Sequence, residues 1–396
     1  METLIEKKYE DKIINYILLA LTCMNFMKSG SIVFLLFCIY NFLGVKTSLP
    51  KQSVTLFLLA FSMIPVIIFG DTEDKLNGIV KTLNYFLPFI VGYNGYLHAT
   101  DKEVYVRRTL FSIFTGFSIY IILMYFYNMS LGTKGRVLYN IWDEQYVAVT
   151  LIGLMSAFII AYSVSVIMYF KSIAIKIVCF ISMLFVVLIN MQTATRTPFA
   201  LLVAMIVFMF FCSFNQQNYE RRARYVFTAM FIFLIALSVY FLNLFGVRDA
   251  ILNSPLMERF LEKGMETSRV DITKFYFQNM LKYPWGGGNV HELYGTGAHN
   301  IWQQCYDTYG VFAAFFMLII TISMIKYFIK LLLMKDKQDM DYVFIAVYLG
   351  VLIQIGLEPV MTGYPILFWV MLFIHGMAYL RYSPEEQEAA KPEFIY

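Results

Sequence analysis

Charge is what this chain has least of. Only 15% of its 396 residues are Asp, Glu, Lys or Arg, against about a quarter in soluble domains, too few to clothe a soluble protein of this length. The deficit also excludes a disordered chain, which needs high charge and little apolar content. The 31 basic and 27 acidic residues nearly cancel, so nucleic acid is not expected as a partner. Cysteine is sparse. Cys23, Cys38, Cys179, Cys212 and Cys305 fall within or at the ends of apolar runs and show no Cys-x-x-Cys spacing, which speaks against disulfides and thiolate metal sites. Histidine occurs four times, with no pair spaced to hold a metal, and neither metal nor cofactor is expected.

Apolar residues fill the space instead, at 59% of the chain and a mean hydropathy of +0.64. A helix crossing a bilayer needs about 20 such residues. Apolar runs bounded by charge lie near 13–27, 31–45, 54–70, 79–97, 109–127, 147–170, 174–191, 197–213, 226–246, 302–325, 343–358 and 364–380. They predict an all-α polytopic membrane protein of about twelve transmembrane helices. Residues 1–246 carry spans one to nine, 247–300 a large hydrophilic loop, 301–380 spans ten to twelve, and 381–396 a tail. The opening METLIEKKYEDK leads into an apolar run without a small-residue cleavage site, and reads as a retained first span. Only Lys28, Ser29 and Gly30 divide the first two runs, so a broken or re-entrant hairpin is the alternative there.

Basic residues set the orientation, because they stay cytoplasmic near span ends. With the N-terminus inside, the inner segments hold 19 Lys and Arg and the short outer segments six. Both termini are therefore expected in the cytoplasm and the 247–300 loop outside it. Within that loop, Ser254 and Pro255 read as the N-cap and first residue of one short amphipathic helix, with Gly264 to end it. Ser268 with Asp271 resembles a capping box opening a second.

Three features of the outer side carry possible chemistry. Arg196, in QTATRTP, is either a snorkelling interfacial arginine or a fixed guanidinium for phosphate oxygens, which its planar fork suits. Arg269 opens the second loop helix, where a cation opposes the helix dipole, so it reads either as an ion pair with Asp271 or as an anion ligand. Arg248 and Arg259 are weaker versions of that idea. The third feature is YPWGGG followed by GAHN, which delivers His299 and Asn300 to the outer mouth of the bundle just before the tenth span. His299 is either an interfacial cap or a proton acceptor. Glu358, beside Pro359 near the outer end of span eleven, is expected to be paired with an arginine of the site or with substrate hydroxyls, since a carboxylate at membrane depth is costly. Lys81 and Asp307 are lesser candidates. Asp339 and Asp341 in MKDKQDMD read as a solvated charge run, and His98, His291 and His375 have no role assigned.

Taken in order, Arg196 at the head of the eighth span, Arg269 at a helix start, the Pro- and Gly-rich turn, and His299-Asn300 entering a span with Gly310 beyond it resemble the O-antigen polymerase and O-antigen ligase superfamily. The plan of twelve spans with one large outer loop before the tenth is similar too. Phe275 and Tyr276 stand where members often place a tryptophan, and the turn carries an extra glycine. The resemblance implies a GT-C-like membrane glycosyltransferase of the bacterial inner membrane, its site facing the periplasm or exterior. It further implies polyprenyl-diphosphate-linked oligosaccharides as donor and acceptor, membrane lipids around the donor tail, and a chain-length regulator protein as a possible partner. Arg196 and Arg269 would bind the diphosphate, with Arg248, Arg259, Asn300, Tyr283, Trp285 and Glu358 around the substrate. His299 would deprotonate or position the acceptor hydroxyl. Of the two activities, polymerisation is the expectation and ligation to lipid A core the alternative. A flippase for lipid-linked sugars is the reading from another class, although carriers commonly show two similar halves and no repeat is visible.

Overall fold

The computed structural model describes residues 13–42, 47–70, 75–83, 85–133, 135–214, 219–243, 247–263, 269–295, 297–335 and 337–383. Among these, regular structure is helical, apart from isolated bridge residues such as the antiparallel pair Tyr139 and Tyr146. The first helices are α1 (Ile13–Cys23), α2 (Gly30–Phe42), α3 (Ser53–Phe69), α4 (Lys75–Leu83), α5 (Leu87–His98) and α6 (Lys102–Ser130). Then come α7 (Val149–Tyr169), α8 (Ile173–Gln192), α9 (Thr197–Phe214) and α10 (Tyr219–Phe241). The hydrophilic segment holds α11 (Val247–Leu252), α12 (Pro255–Lys263), α13 (Arg269–Asn279) and α14 (Asn289–Tyr294). The chain closes with α15 (Ile301–Tyr309), α16 (Val311–Leu333), α17 (Asp339–Leu357), α18 (Val360–Gly363) and α19 (Pro365–Arg381).

Six of these, α6, α7, α8, α9, α16 and α17, are long and apolar enough to cross a membrane. The protein is a helical membrane protein with several such helices. α1, α2, α3 and α19 are apolar but shorter. Two apolar runs expected to be single spans are divided. The run near 79–97 splits into α4 and α5 around Tyr85–Phe86, with Pro88 in the first turn of α5, where its missing N–H is harmless. The run near 302–325 splits at Gly310 into α15 and α16. Between α1 and α2 the chain turns sharply, with Asn25, Met27 and Lys28 all at positive φ. Ser254 accepts from the Met257 amide at 3.3 Å at the head of α12, as its N-cap role requires. Ser268 and Gly264 lie outside the described residues.

Loops gather at two ends. At one, Lys28 pairs with Asp143 and donates to Gln145 Oε1 at 2.9 Å. The Gly135 amide bonds the Gln192 carbonyl at 3.1 Å, and Arg269 meets Glu358. At the other end the presumed charge run is not solvated. Asp341 is 1% exposed and accepts from Arg381 Nη2 at 2.8 Å and from Tyr382 at 2.7 Å. The same Arg381 nitrogen reaches Glu103 at 2.6 Å. Asp339 accepts from Tyr225 at 3.0 Å. Asp341 is thus a buried ion-pair partner that ties α17 to α19 and α6. His375 is likewise structural, fully buried with Nδ1 at 2.7 Å from the Tyr348 hydroxyl.

α5 and α19 pack closely in the core. A Cβ on Gly92 would strike the Phe373 carbonyl, and one on Gly376 the Phe89 carbonyl. Small residues at crossings let helix backbones approach when lipid supplies no hydrophobic drive. Gly92→Ala and Gly376→Ala should each destabilise the fold by about 1–3 kcal/mol, the usual penalty of overpacking. Thermal unfolding in detergent checks this, and unchanged midpoints in both variants would show that the pair yields freely.

Candidate functional site

The site is organised by a chain reversal at Gly310. Its φ of 89° and ψ of 179° lie in a region that essentially only glycine occupies. Trp302, eight residues before it, donates through Nε1 to Thr321 Oγ1, eleven residues after it, at 3.1 Å. α15 therefore folds back along the first half of α16. The glycine-rich turn explains itself here. Gly286 has φ 69°, and a Cβ on it would meet the Tyr306 and Asp307 carbonyls and the Gly310 amide. The Val311 amide donates to the Pro284 carbonyl at 2.9 Å. PWGG is the packing partner of the reversal. Gln303, Gln304, Cys305, Tyr306 and Asp307 of α15 are all buried.

α15 holds three other segments in place through adjacent glutamines. Gln303 accepts from the His299 amide at 3.2 Å and donates to Thr273 Oγ1 at 2.7 Å. Thr273 in turn donates to the Arg269 carbonyl at 2.8 Å, which fixes the head of α13. Gln304 grips the 358–361 strap on both sides, donating to the Pro359 carbonyl at 3.2 Å and accepting from the Met361 amide at 2.9 Å. Farther along, Tyr306 donates to the Asn279 carbonyl at 3.1 Å, so α13 runs beside α15 to its end.

This brings together three side chains that the sequence scatters over ninety residues. Arg269 donates from Nη2 to Glu358 at 3.0 Å and from Nη1 to the Leu357 carbonyl at 3.0 Å. Its carboxylate partner is Glu358, while Asp271 is exposed. Burial raises the Glu358 carboxyl above its ordinary range, although the charge and hydrogen bond of Arg269, and the charge of Arg136, pull it down. His299 is half-buried within reach of the Arg269 charge. Burial and then the Arg269 charge depress its imidazole, which keeps the ring neutral, and so able to accept a proton, at neutral pH.

The remaining candidates are placed differently. Arg196 is half-buried at the head of α9, where its carbonyl accepts from the Phe199 and Ala200 amides. Its turn is joined to the Arg136 loop by the Gly135–Gln192 bond and by Gln192 Nε2 to the Thr133 carbonyl at 2.8 Å. Asn300 caps α15, its Oδ1 accepting from the Gln303 amide at 2.8 Å. Arg248 sits on α11 against Asp249 at 3.7 Å. Trp285 is exposed, 6.2 Å from the Phe312 ring, and Tyr283 is half-buried against the core. The side chains of Arg259 and Lys81 lie outside the described residues. Asp307 accepts from the His291 amide at 3.1 Å, which anchors α14.

Sequence reasoning missed Arg136, counted only as an outer charge, and missed Gln303 and Gln304, whose available signal was two adjacent amides inside an apolar run. Among the described residues no cluster of three or more His, Cys, Asp or Glu side chains forms a metal cage. Neither a family model nor a curated protein matches the chain.

Proposed function

We propose that this protein is a membrane glycosyltransferase that polymerises oligosaccharide repeat units carried on polyprenyl diphosphate. The observation that carries the reading is the convergence of Arg269 and His299 on the N-terminus of the buried helix α15. Transfer of a glycan from a lipid diphosphate makes two demands. Negative charge grows on the departing diphosphate as the anomeric C–O bond breaks, and the attacking hydroxyl must lose its proton. Guanidinium groups answer the first, because a planar fork fixed in advance stabilises charge where it develops. A neutral imidazole answers the second.

Arg269 and Arg196 bind the diphosphate, with Arg136 as a further cation near Glu358. The acceptor hydroxyl attacks the anomeric carbon, its proton passes to His299, and the lipid diphosphate leaves with the bonding electron pair. The exposed Trp285 offers a face for a sugar ring. The donor tail lies among the helices that carry the apolar surface. In this reading the chain makes about twelve crossings of the bacterial inner membrane. Both termini are cytoplasmic, the site opens to the periplasm or exterior, and a chain-length regulator is the partner this reading proposes.

Purified protein in detergent, given lipid-linked repeat unit, should build polymer. A flippase cannot do so without compartments, and a ligase requires lipid A core, so a protein that transfers glycan only when that acceptor is added is a ligase. The orientation has its own check. A cysteine at Asn253, on the exposed side of the turn between α11 and α12, should react with an impermeant thiol reagent in intact spheroplasts. Protection there would reverse the topology.

A further inference from the structure

Arg269 is engaged by Leu357 and Glu358, so an anion that takes its Nη2 donor breaks the pair with Glu358. The two halves of that pair differ in what they can do next. The Arg269 side chain is one-third exposed and that of Glu358 9% exposed, so an incoming anion reaches the guanidinium and not the carboxylate. Arg269 also keeps a second anchor, Nη1 on the Leu357 carbonyl, while Nη2 is the donor that Glu358 holds and that an anion would compete for.

Glu358 has no comparable freedom. Its amide donates to the Gln354 carbonyl at 2.9 Å, and its carbonyl accepts from the Val360 amide at 3.0 Å. Gln304 holds the strap immediately beyond, at Pro359 and Met361. The backbone on either side of the carboxylate is pinned and the side chain stays under cover. A buried carboxylate that loses its cation, and gains a neighbouring diphosphate, faces a penalty of several kcal/mol if it remains ionised. Protonation removes that penalty.

Resting on the proposed diphosphate site, we propose that Arg269 and Glu358 form a proton-linked exchange site. A diphosphate that takes the guanidinium binds together with one proton, which the Glu358 carboxyl holds while the anion is present. The proton comes from solvent and returns to it on release. The charged and titratable groups facing Glu358 are Arg269 from α13, Arg136 from the 131–148 loop and, through Arg269, His299 ahead of α15. Its neighbours along the strap, Gln354, Leu357, Val360 and Met361, do not titrate. Burial already holds the carboxyl above its usual range against the pull of both arginines, so removing the larger pull moves it farther in the same direction. His299 is the competing proton acceptor, because an anion on Arg269 also relieves the charge that depresses it.

The test is calorimetric titration of the full-length protein in detergent with geranylgeranyl diphosphate, in buffers of different ionisation enthalpy between pH 6 and 8. Wild type should take up more protons than Glu358→Gln by an amount approaching one. Its affinity should fall with rising pH by up to about tenfold per unit more steeply than that of the variant, in which the ligand's own ionisation persists. His299→Asn should keep the excess uptake. An infrared difference spectrum of wild type alone, should Glu358→Gln fail to fold, must gain the carbonyl stretch of a protonated carboxyl when the probe is added. Equal uptake in wild type and Glu358→Gln, or an excess that vanishes with His299→Asn, overturns the exchange. Absence of that infrared band does the same. Wild-type protein that does not bind the probe at all instead removes the diphosphate reading beneath it.

Discussion

Replacing His299 by alanine should lower polymer formation on purified lipid-linked substrate by at least about 10²-fold, the lower bound of what a positioned general base contributes. Folding should be little affected, because the structural contact of this residue is its backbone amide on Gln303, which alanine retains. Donor binding should survive too, since the diphosphate contacts are assigned to arginines. The pH dependence gives a second reading. Burial and the Arg269 charge hold the imidazole below its ordinary value, so the base is protonated, and activity lost, only at pH below the usual histidine range. The acid limb of the kcat/KM profile, which reports the free enzyme, should therefore lie lower than an exposed histidine would give. His98→Ala is the matched control and should leave turnover near wild type. His375→Ala should act through stability, because its ring is buried against Tyr348. Near wild-type polymer growth by His299→Ala would leave this histidine as part of a helix cap and remove the general-base role assigned to it.

What made these residues visible in the sequence was local. An arginine at a helix start, a glycine-rich turn and a rare histidine before an apolar run each stand out within ten residues. What stayed hidden depended on contacts between distant segments. The apolar run near 302–325 is continuous in composition, and only the backbone of Gly310 reveals that it folds back as α15 and α16. IWQQCYDTYG did carry a hint, since two glutamines and an aspartate are out of place on a lipid-facing helix. Asp341 looked like a surface charge because its partner Arg381 lies forty residues on. Length was the other difficulty. α1, α2, α3 and α19 are apolar yet have 11 to 17 residues, so the hydropathy pattern located the helices more securely than it counted crossings.

Arg269→Lys should lower turnover by about 10²- to 10³-fold, the range seen when a single preorganised charge-stabilising donor is removed, although the charge is kept. Arg269 bonds the Leu357 carbonyl and the Glu358 carboxylate from different nitrogens of one rigid plane. A lysine ammonium is a point on a flexible stem and cannot reproduce that fork. Arg269→Ala would confound activity with folding. Removing one partner of a buried pair typically costs about 3–5 kcal/mol, and here the lower figure applies because the arginine is partly exposed. That stability loss belongs to the stranded Glu358 carboxylate, so Arg269→Ala combined with Glu358→Gln should recover most of the thermal midpoint. Catalysis should not return with it. A double variant as stable as wild type and still inactive separates the anion-binding task of Arg269 from its structural one. Recovery of polymer growth in that variant, or full activity in Arg269→Lys, would mean that the arginine serves only to neutralise Glu358, and the diphosphate clamp would then have to be sought at Arg196 and Arg136.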